Sequence, residues 1–462
     1  MKKIISFILC GTLFLSLLPL LLSCKENENY NSDVNEESND NDSDNTNNDN
    51  SNETITDNES QGLSYSLDET GSYYTVTGIG SFEGENLNIP NQHEGLPVKE
   101  IDMRAFEDCT KLKSIVIPEN IENIGSGAFY NCTQIEDIFF NAQAVKDFSE
   151  NNYIFYNVGI DSKGIRFTVG KNCSSIPDFI FYHSSANVKE IIFDEESSCK
   201  RIGHYAFTSS QLSQITIPES IVSLGEKAFA YCKSVKTIYF NAENMMNLSY
   251  DTLPFAQTGE YGAHIVIGKS VCVIPNYLFA QGTYESALQY ENGDNGIVKV
   301  SFEENSKCET IGDKAFFSCL HLKFVELPYR LSKIGRDAFR DCDSIIEVIN
   351  FSILDVKSFF KNAIHGNISP KVSIQSDYAN SELYETDDGF VFWKNETQCF
   401  LVDYTGTSQE ITLPNNFNGV NYEIYPCAFT NTNVKTVYIP DAVTVNTYAF
   451  LGTVISIQEI TD

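Results

Sequence analysis

Apolar residues recur along most of the chain as a repeated phrase. In Leu112-x-x-Ile115-x-Ile117-Pro118 they alternate, which predicts a short strand with one buried side. Pro118 has no amide to donate and ends it. Ile121 and Ile124 then turn inward, Gly125 permits a tight bend, and Ala128-Phe129 supplies a bulky centre before Cys132. Ile135, Ile138 and Phe140 alternate again and open the next copy. Ala105-Phe106 and Ala128-Phe129 lie 23 residues apart, Ala206-Phe207 and Ala228-Phe229 lie 22 apart, and Ala315-Phe316 and Ala338-Phe339 lie 23 apart. Ala428-Phe429 and Ala449-Phe450 close the array at 21. A period of this length predicts stacked coils, each burying its apolar side on its neighbours.

A longer period overlies the short one. Phe129, Asn141-Ala142 and Phe155 recur 100 residues later as Phe229, Asn241-Ala242 and Phe255, which points to duplication of a block of coils. Coils near 143–170, 243–268 and 352–375 depart from the phrase and are expected to bulge or lengthen the side opposite the strands.

Two stretches lie outside the phrase. Leu63–Leu67 and Tyr73–Thr77 alternate around Asp68-Glu69-Thr70-Gly71 and read as a hairpin, placed where a solenoid needs a cap. Residues 378–413 break the array, with Phe390-Val391-Phe392-Trp393 and Phe400–Tyr404 alternating around Lys394-Asn395-Glu396-Thr397. They read as an inserted hairpin, or as a small separate subdomain. The favoured reading is a β insertion within the solenoid.

The pattern resembles the BspA-type leucine-rich repeat: proline, isoleucine-glycine, alanine-phenylalanine, cysteine, then two isoleucines. Ile117-Pro118, Ile124-Gly125, Ala128-Phe129, Cys132, Ile135 and Ile138 carry the likeness, which spans about residues 87 to 457. It implies a β-rich leucine-rich-repeat solenoid with a parallel sheet, short irregular or 3-10 convex segments, a β-hairpin cap and an insertion. It also implies adhesion to host matrix proteins or to neighbouring bacteria.

The N-terminus changes where such a solenoid is expected to work. Lys2-Lys3 precede an apolar run from Ile4 to Leu22, as in an export signal. Leu21-Leu22-Ser23-Cys24 resembles a bacterial lipobox, which implies cleavage before Cys24 and lipidation of its thiol. Lys25-Glu26-Asn27-Glu28 resembles the surface-export tag of Bacteroidetes lipoproteins. Residues 25 to 60 are mostly Asn, Asp, Glu, Ser and Thr, too polar to offset the entropy of ordering, and predict a disordered tether. Its mean reach is about 30–35 Å. The organisation expected is a signal at 1–23, a tether at 24–60, a β cap at 61–86 and a solenoid at 87–377. An insertion at 378–410 and C-terminal coils at 411–462 complete it. The predicted location is the bacterial outer membrane, facing outward on a lipid anchor.

The formal charge of -32 repels nucleic acid and anionic lipid. Cys10 leaves with the signal and Cys24 is lipidated, so eleven of the 13 cysteines remain in the folded part. Cys109, Cys132, Cys232, Cys319 and Cys342 share one place in the phrase, and Cys199 and Cys308 another. They read as a column of buried thiols packing as hydrophobes, or as thiols able to bond between adjacent coils.

No constellation points to catalysis, metal or cofactor binding. His93, His183, His204, His264, His321 and His365 are scattered, with no pair at ligand spacing. Gly262 to Gly268-Lys269-Ser270 misses the phosphate-loop spacing by one residue. The remaining candidate surface is the outward side of each strand. Asp137 and Phe139, Thr237 and Tyr239, Phe324 and Glu326, and Thr436 and Tyr438 form an aromatic, acidic and hydroxyl set. Exposed aromatics with polar neighbours mark interaction surfaces, although strands also favour aromatics for packing alone. The expected partner is a protein ligand on host matrix or a bacterial surface. A glycan captured for nutrient uptake, or a purely structural envelope role, are the alternatives.

Overall fold

The computed structural model describes residues 59–182, 187–259, 262–281, 296–342, 344–345, 347–352, 354, 373–375, 381–395, 398–425, 428–429, 432–445, 449–450 and 455–460. The signal, Cys24 and the tether as far as residue 58 lie outside them, whereas Ser60 at the expected tether's end is buried and its amide donates to the Asn88 carbonyl across 2.9 Å. The fold is a parallel-sheet β-solenoid of about 13 turns. Among the described residues there is no helix, and the segments opposite the wide sheet are turns.

Each coil contributes one strand to a wide ladder. Asn86–Asn88, Ser114–Ile117, Asp137–Phe140, Ile165–Val169 and Val188–Phe193 pair in parallel. A second ladder runs from Gln214–Ile217 through Thr237–Phe240, Ala263–Ile267, Ile297–Phe302, Phe324–Leu327 and Glu347–Asn350 to Ser373–Gln375. Alternation decides which side of each strand is buried: Ser114–Ile117 and Asp137–Phe140 both alternate half-buried and buried. Two-residue strands across the coil pair likewise, as Ser175–Ile176, Arg201–Ile202 and Ser223–Leu224 do.

The core is columnar because the coils stack in register. Phe106, Phe129, Phe155, Phe181, Phe207, Phe229, Phe255, Phe279, Phe316 and Phe339 form a continuous stack of rings, with centroids 5.0 to 5.7 Å apart. Phe155 and Phe255, in two coils that depart from the phrase, hold their places in it. Extra residues there lengthen the turn without displacing the centre.

Gly125 plays a different part from the one its sequence context predicts. Its φ is not in the left-handed region; instead a Cβ on it would lie 2.3 Å from the Met103 amide nitrogen of the preceding coil. Gly225 meets His204 in the same way. The repeated glycine therefore sets how closely the coils approach. Left-handed backbone falls two residues later, at Gly127, Phe179, Tyr205, Lys227, Tyr277, Lys314 and Asp337.

At the N-terminal end Ser64–Leu67 and Tyr74–Gly78 form an antiparallel hairpin. Its second strand pairs in parallel with Leu96–Ile101, which pairs with Asn123–Ile124. The hairpin thus covers the first coil. The stretch from 381 repeats this design: Ser381–Glu385, Phe390–Asn395 and Cys399–Tyr404 form an antiparallel meander. Its last strand then pairs in parallel with Glu423–Ile424, and that with Thr444–Val445. Phe392, Leu401, Ile424, Phe429 and Val437 form a core of their own, separate from the one running from Leu63 to Val348. In the strand Ser456–Ile460, Glu459 stands opposite the buried Ile439 and is itself exposed.

Candidate interaction surface

The strand register divides the eight candidate residues among three ladders. Asp137 and Phe139 stand on the first. Asp137 lies between Ser114 and Arg166, and Phe139 between Val116 and Thr168. Arg166 donates from Nε to Asp137 Oδ1 across 2.6 Å, and Ser114 donates to Asn86 Oδ1 across 2.9 Å. Ile192, beyond Thr168 in the row of Phe139, is 37 % exposed. This face therefore carries a mainly apolar row, Val116, Phe139, Thr168 and Ile192, beside the row of the Asp137–Arg166 ion pair.

Four residues stand on the second ladder, in two different rows. Thr237 aligns through His264 and Lys299 with Phe324, whereas Tyr239 aligns through Val266 with Ser301. With strands about 4.8 Å apart, Thr237 and Phe324 are about 14 Å apart. The four therefore do not form one aromatic stripe. His264 Nε2 and Ser301 Oγ are 2.6 Å apart. Burial, with the charge of Lys299 adding to it, lowers the His264 pKa to about 4. Burial also pushes the Glu326 carboxyl above its ordinary range, opposed in part by Lys299.

Phe324 packs against a buried cluster of Trp393, Phe400, Val402 and Tyr425 from the C-terminal block. Beside it, Lys323 Nζ donates to the Val402 carbonyl oxygen across 3.2 Å. Phe324 is accordingly an internal docking point, which removes it from the set of free aromatics. Thr436 and Tyr438 stand on the C-terminal ladder, paired with Glu410 and Thr412 on one side and Ser456 and Gln458 on the other.

A second aromatic surface escaped the sequence reading. Residues flanking the central phenylalanines stack along the turn edge: Tyr130 on Tyr156 at 4.9 Å, and Phe179 on Tyr205 at 5.4 Å, with Tyr153 and Tyr182 edge-on beside them. The recurrence of an aromatic one residue after, or two before, the central Phe was the available signal. Ring faces are occupied by neighbouring rings, so this edge presents ring rims and hydroxyls. Tyr205 donates to Glu226 Oε1 across 2.6 Å, and Lys227 lies over its ring.

Among the described residues no group of three or more His, Cys, Asp or Glu side chains is placed to hold a metal ion. Cys132, Cys232, Cys308 and Cys399 are buried, with thiols held well above their ordinary pKa by desolvation.

A solenoid with a parallel ladder on one side and turns on the other is the architecture of a leucine-rich-repeat scaffold. The chain belongs to the family described as BspA type leucine rich repeat region, matched with six copies over residues 77–159, 151–285, 292–381 and 396–461. The family implies a protein-interaction or surface-protein role, and no catalytic family is indicated. Among solved structures, a leucine-rich repeat protein from Bacteroides ovatus ATCC 8483 is 18% identical, covering 87% of this chain and 100% of its own, with a TM-score of 0.31. A leucine rich cell surface protein from Faecalibacterium prausnitzii A2-165 is 18% identical over 87% of this chain and 75% of its own, with a TM-score of 0.23. The leucine rich repeat protein of T. pallidum is 18% identical over 65% of this chain and 92% of its own, with a TM-score of 0.27. No curated protein matches the chain.

Proposed function

We propose that this protein is a binding module displayed on the bacterial surface, anchored through lipid on Cys24, and that a protein ligand docks on the outer face of the first ladder. The ligand belongs to host matrix or to a neighbouring cell. One observation carries the reading. Val116, Phe139 and Ile192, with Thr168 between the last two, form an accessible, mainly apolar row beside the Asp137–Arg166 ion pair, whereas Phe324 of the second ladder, in the row of Thr237, packs against the C-terminal block. Apolar anchors with a polar rim are what protein interfaces use, and most of the affinity comes from few residues.

The test uses the mature chain against immobilised matrix proteins and bacterial surface extracts. Saturable binding that falls at least about tenfold in Phe139→Ala, and is unchanged in Tyr153→Ala on the turn edge, supports the docking face. Binding equally sensitive to both variants, or none at all, overturns it. Display and anchoring are read separately, by protease shaving of intact cells and by labelling with a fatty-acid analogue in wild type and Cys24→Ala.

A further inference from the structure

The place two residues ahead of the short strand across the coil is occupied, in coil after coil, by Ile121, Cys173, Cys199, Ile221, Val271, Cys308 and Leu331, every one fully buried. A branched aliphatic fills it in four of these coils, and Cys308 stands alone between aliphatic neighbours. Only at Cys173 and Cys199 do two cysteines meet in consecutive coils. Their coils are held together immediately afterwards: Lys200 N donates to Ser174 O across 2.8 Å, and Ser175–Ile176 pairs in register with Arg201–Ile202. Each thiol contacts the carbonyl two residues on in its own coil, Ser175 for one and Arg201 for the other, both at 3.4 Å. The two side chains therefore adopt the same orientation, one above the other.

Neighbouring parallel strands lie about 4.7–4.9 Å apart, inside the range of about 4.4–6.8 Å between α-carbons that a disulfide spans. The other stacked cysteines differ. Cys132, Cys232, Cys319 and Cys342 each donate to a phenylalanine carbonyl of the preceding coil, which gives those thiols a partner in the backbone.

We infer that Cys173 and Cys199 are a cross-linking site, joined as a disulfide between consecutive coils when the chain folds in the presence of a small-molecule or protein disulfide. One of the two thiolates attacks one sulfur of that oxidant, releasing a first thiol and leaving a mixed disulfide. The other cysteine, its proton lost to water, then attacks the protein sulfur of that mixed disulfide and releases the second thiol. Two protein thiols and one external disulfide give one protein disulfide and two external thiols. Full burial confines the exchange to the folding chain and shields the product from reductants afterwards.

The inference rests on the surface-display reading for the source of the oxidant alone. The experiment is accordingly run on purified full chain, unfolded under reduction and refolded in glutathione redox buffer. After quenching with a thiol-alkylating reagent in denaturant, peptide mapping is expected to find one cross-linked pair, Cys173 with Cys199, lighter by two hydrogens. Refolding in dithiothreitol instead should give a chain that melts lower than this product, whereas Cys173→Val, whose new side chain fills the column, should melt at the same temperature after either refolding. Alkylation of both cysteines at every redox ratio, a different pair in the cross-link, or equal sensitivity to reductant in both proteins overturns the inference. None of these outcomes bears on display, which the Cys24 labelling decides.

Discussion

The Cys132 thiol donates to the carbonyl oxygen of Phe106 across 3.1 Å, joining one coil to the coil before it. Cys232 does the same to Phe207 and Cys342 to Phe316, and in a divergent coil Thr258 takes over the role toward Phe229 at 2.7 Å. The repeated cysteine is thus a small buried donor for a turn carbonyl. Phe207 O also accepts from Ser210 N across 3.1 Å, so removing the thiol takes away one of two hydrogen bonds to that carbonyl, at a cost of about 0.5–1.5 kcal/mol. Cys232→Val should therefore lower stability by about that amount, and Cys232→Thr, which restores a donor, by less. Urea denaturation followed by circular dichroism separates them; equal losses would show that the thiol only packs.

Gly225 and Gly95 separate two reasons for glycine. A Cβ on Gly225 would sit 2.3 Å from the His204 amide nitrogen, whereas Gly95, at φ +83, has open space around it. Gly225→Asn should destabilise by about 1–3 kcal/mol or more, because a backbone contact yields only if two coils part. Gly95→Asn should cost well under about 1 kcal/mol, since asparagine visits the left-handed region readily. Denaturation midpoints of the two variants check the order.

The repeating parts of this molecule were open to inspection in the chain, and its singular contacts were not. Alternation in Ser114–Ile117 reveals the inward side because every coil obeys the same constraint, and the spacing of Ala-Phe pairs reveals the ring stack for the same reason. Phe139 and Phe324, however, occupy outward places on equivalent strands. One stays on the open row and the other meets Phe400 and Trp393 from far along the chain. A local phrase carries no information on such a meeting. Gly125 shows the same limit: the sequence points to a bend, and the actual reason, coil-to-coil clearance, exists only once coils stack. The donor role of Cys132 depends on an acceptor in another coil and was equally hidden.

His264 makes stability depend on pH in a stated direction. Its folded pKa is about 4, against an ordinary 6.5, chiefly through burial and then through Lys299. The unfolded chain therefore holds more protons between those values, so stability falls as pH drops from 6.5 toward 4 and levels off below. The slope from this one group reaches about 1.4 kcal/mol per pH unit. His264→Gln, a neutral side chain that keeps a partner for Ser301, should lose that slope, match wild type near pH 7 and exceed it in stability toward pH 4. Unfolding free energies measured from pH 7 downward test this; parallel curves for the two proteins would remove His264 as the cause.

Phe324 and Phe139 should respond oppositely to the same substitution. Phe324 packs on the cluster of Trp393, Phe400, Val402 and Tyr425, next to the Lys323 contact with the Val402 carbonyl. Phe324→Ala opens a gap there, and truncating a packed phenylalanine costs up to about 3–5 kcal/mol when fully buried, less at this half-buried position. The loss should appear as faster amide exchange and proteolysis within Phe390–Asn395 and Cys399–Tyr404, while the strand Asp137–Phe140 stays protected. Phe139→Ala removes a side chain from an open row, so exchange in both regions should stay as in wild type and only ligand binding should fall. Hydrogen exchange read by mass spectrometry distinguishes the two. If Phe324→Ala left the C-terminal strands as protected as before, the docking of that block would rest on Lys323 and the remaining contacts, and Phe324 would return to the set of binding residues.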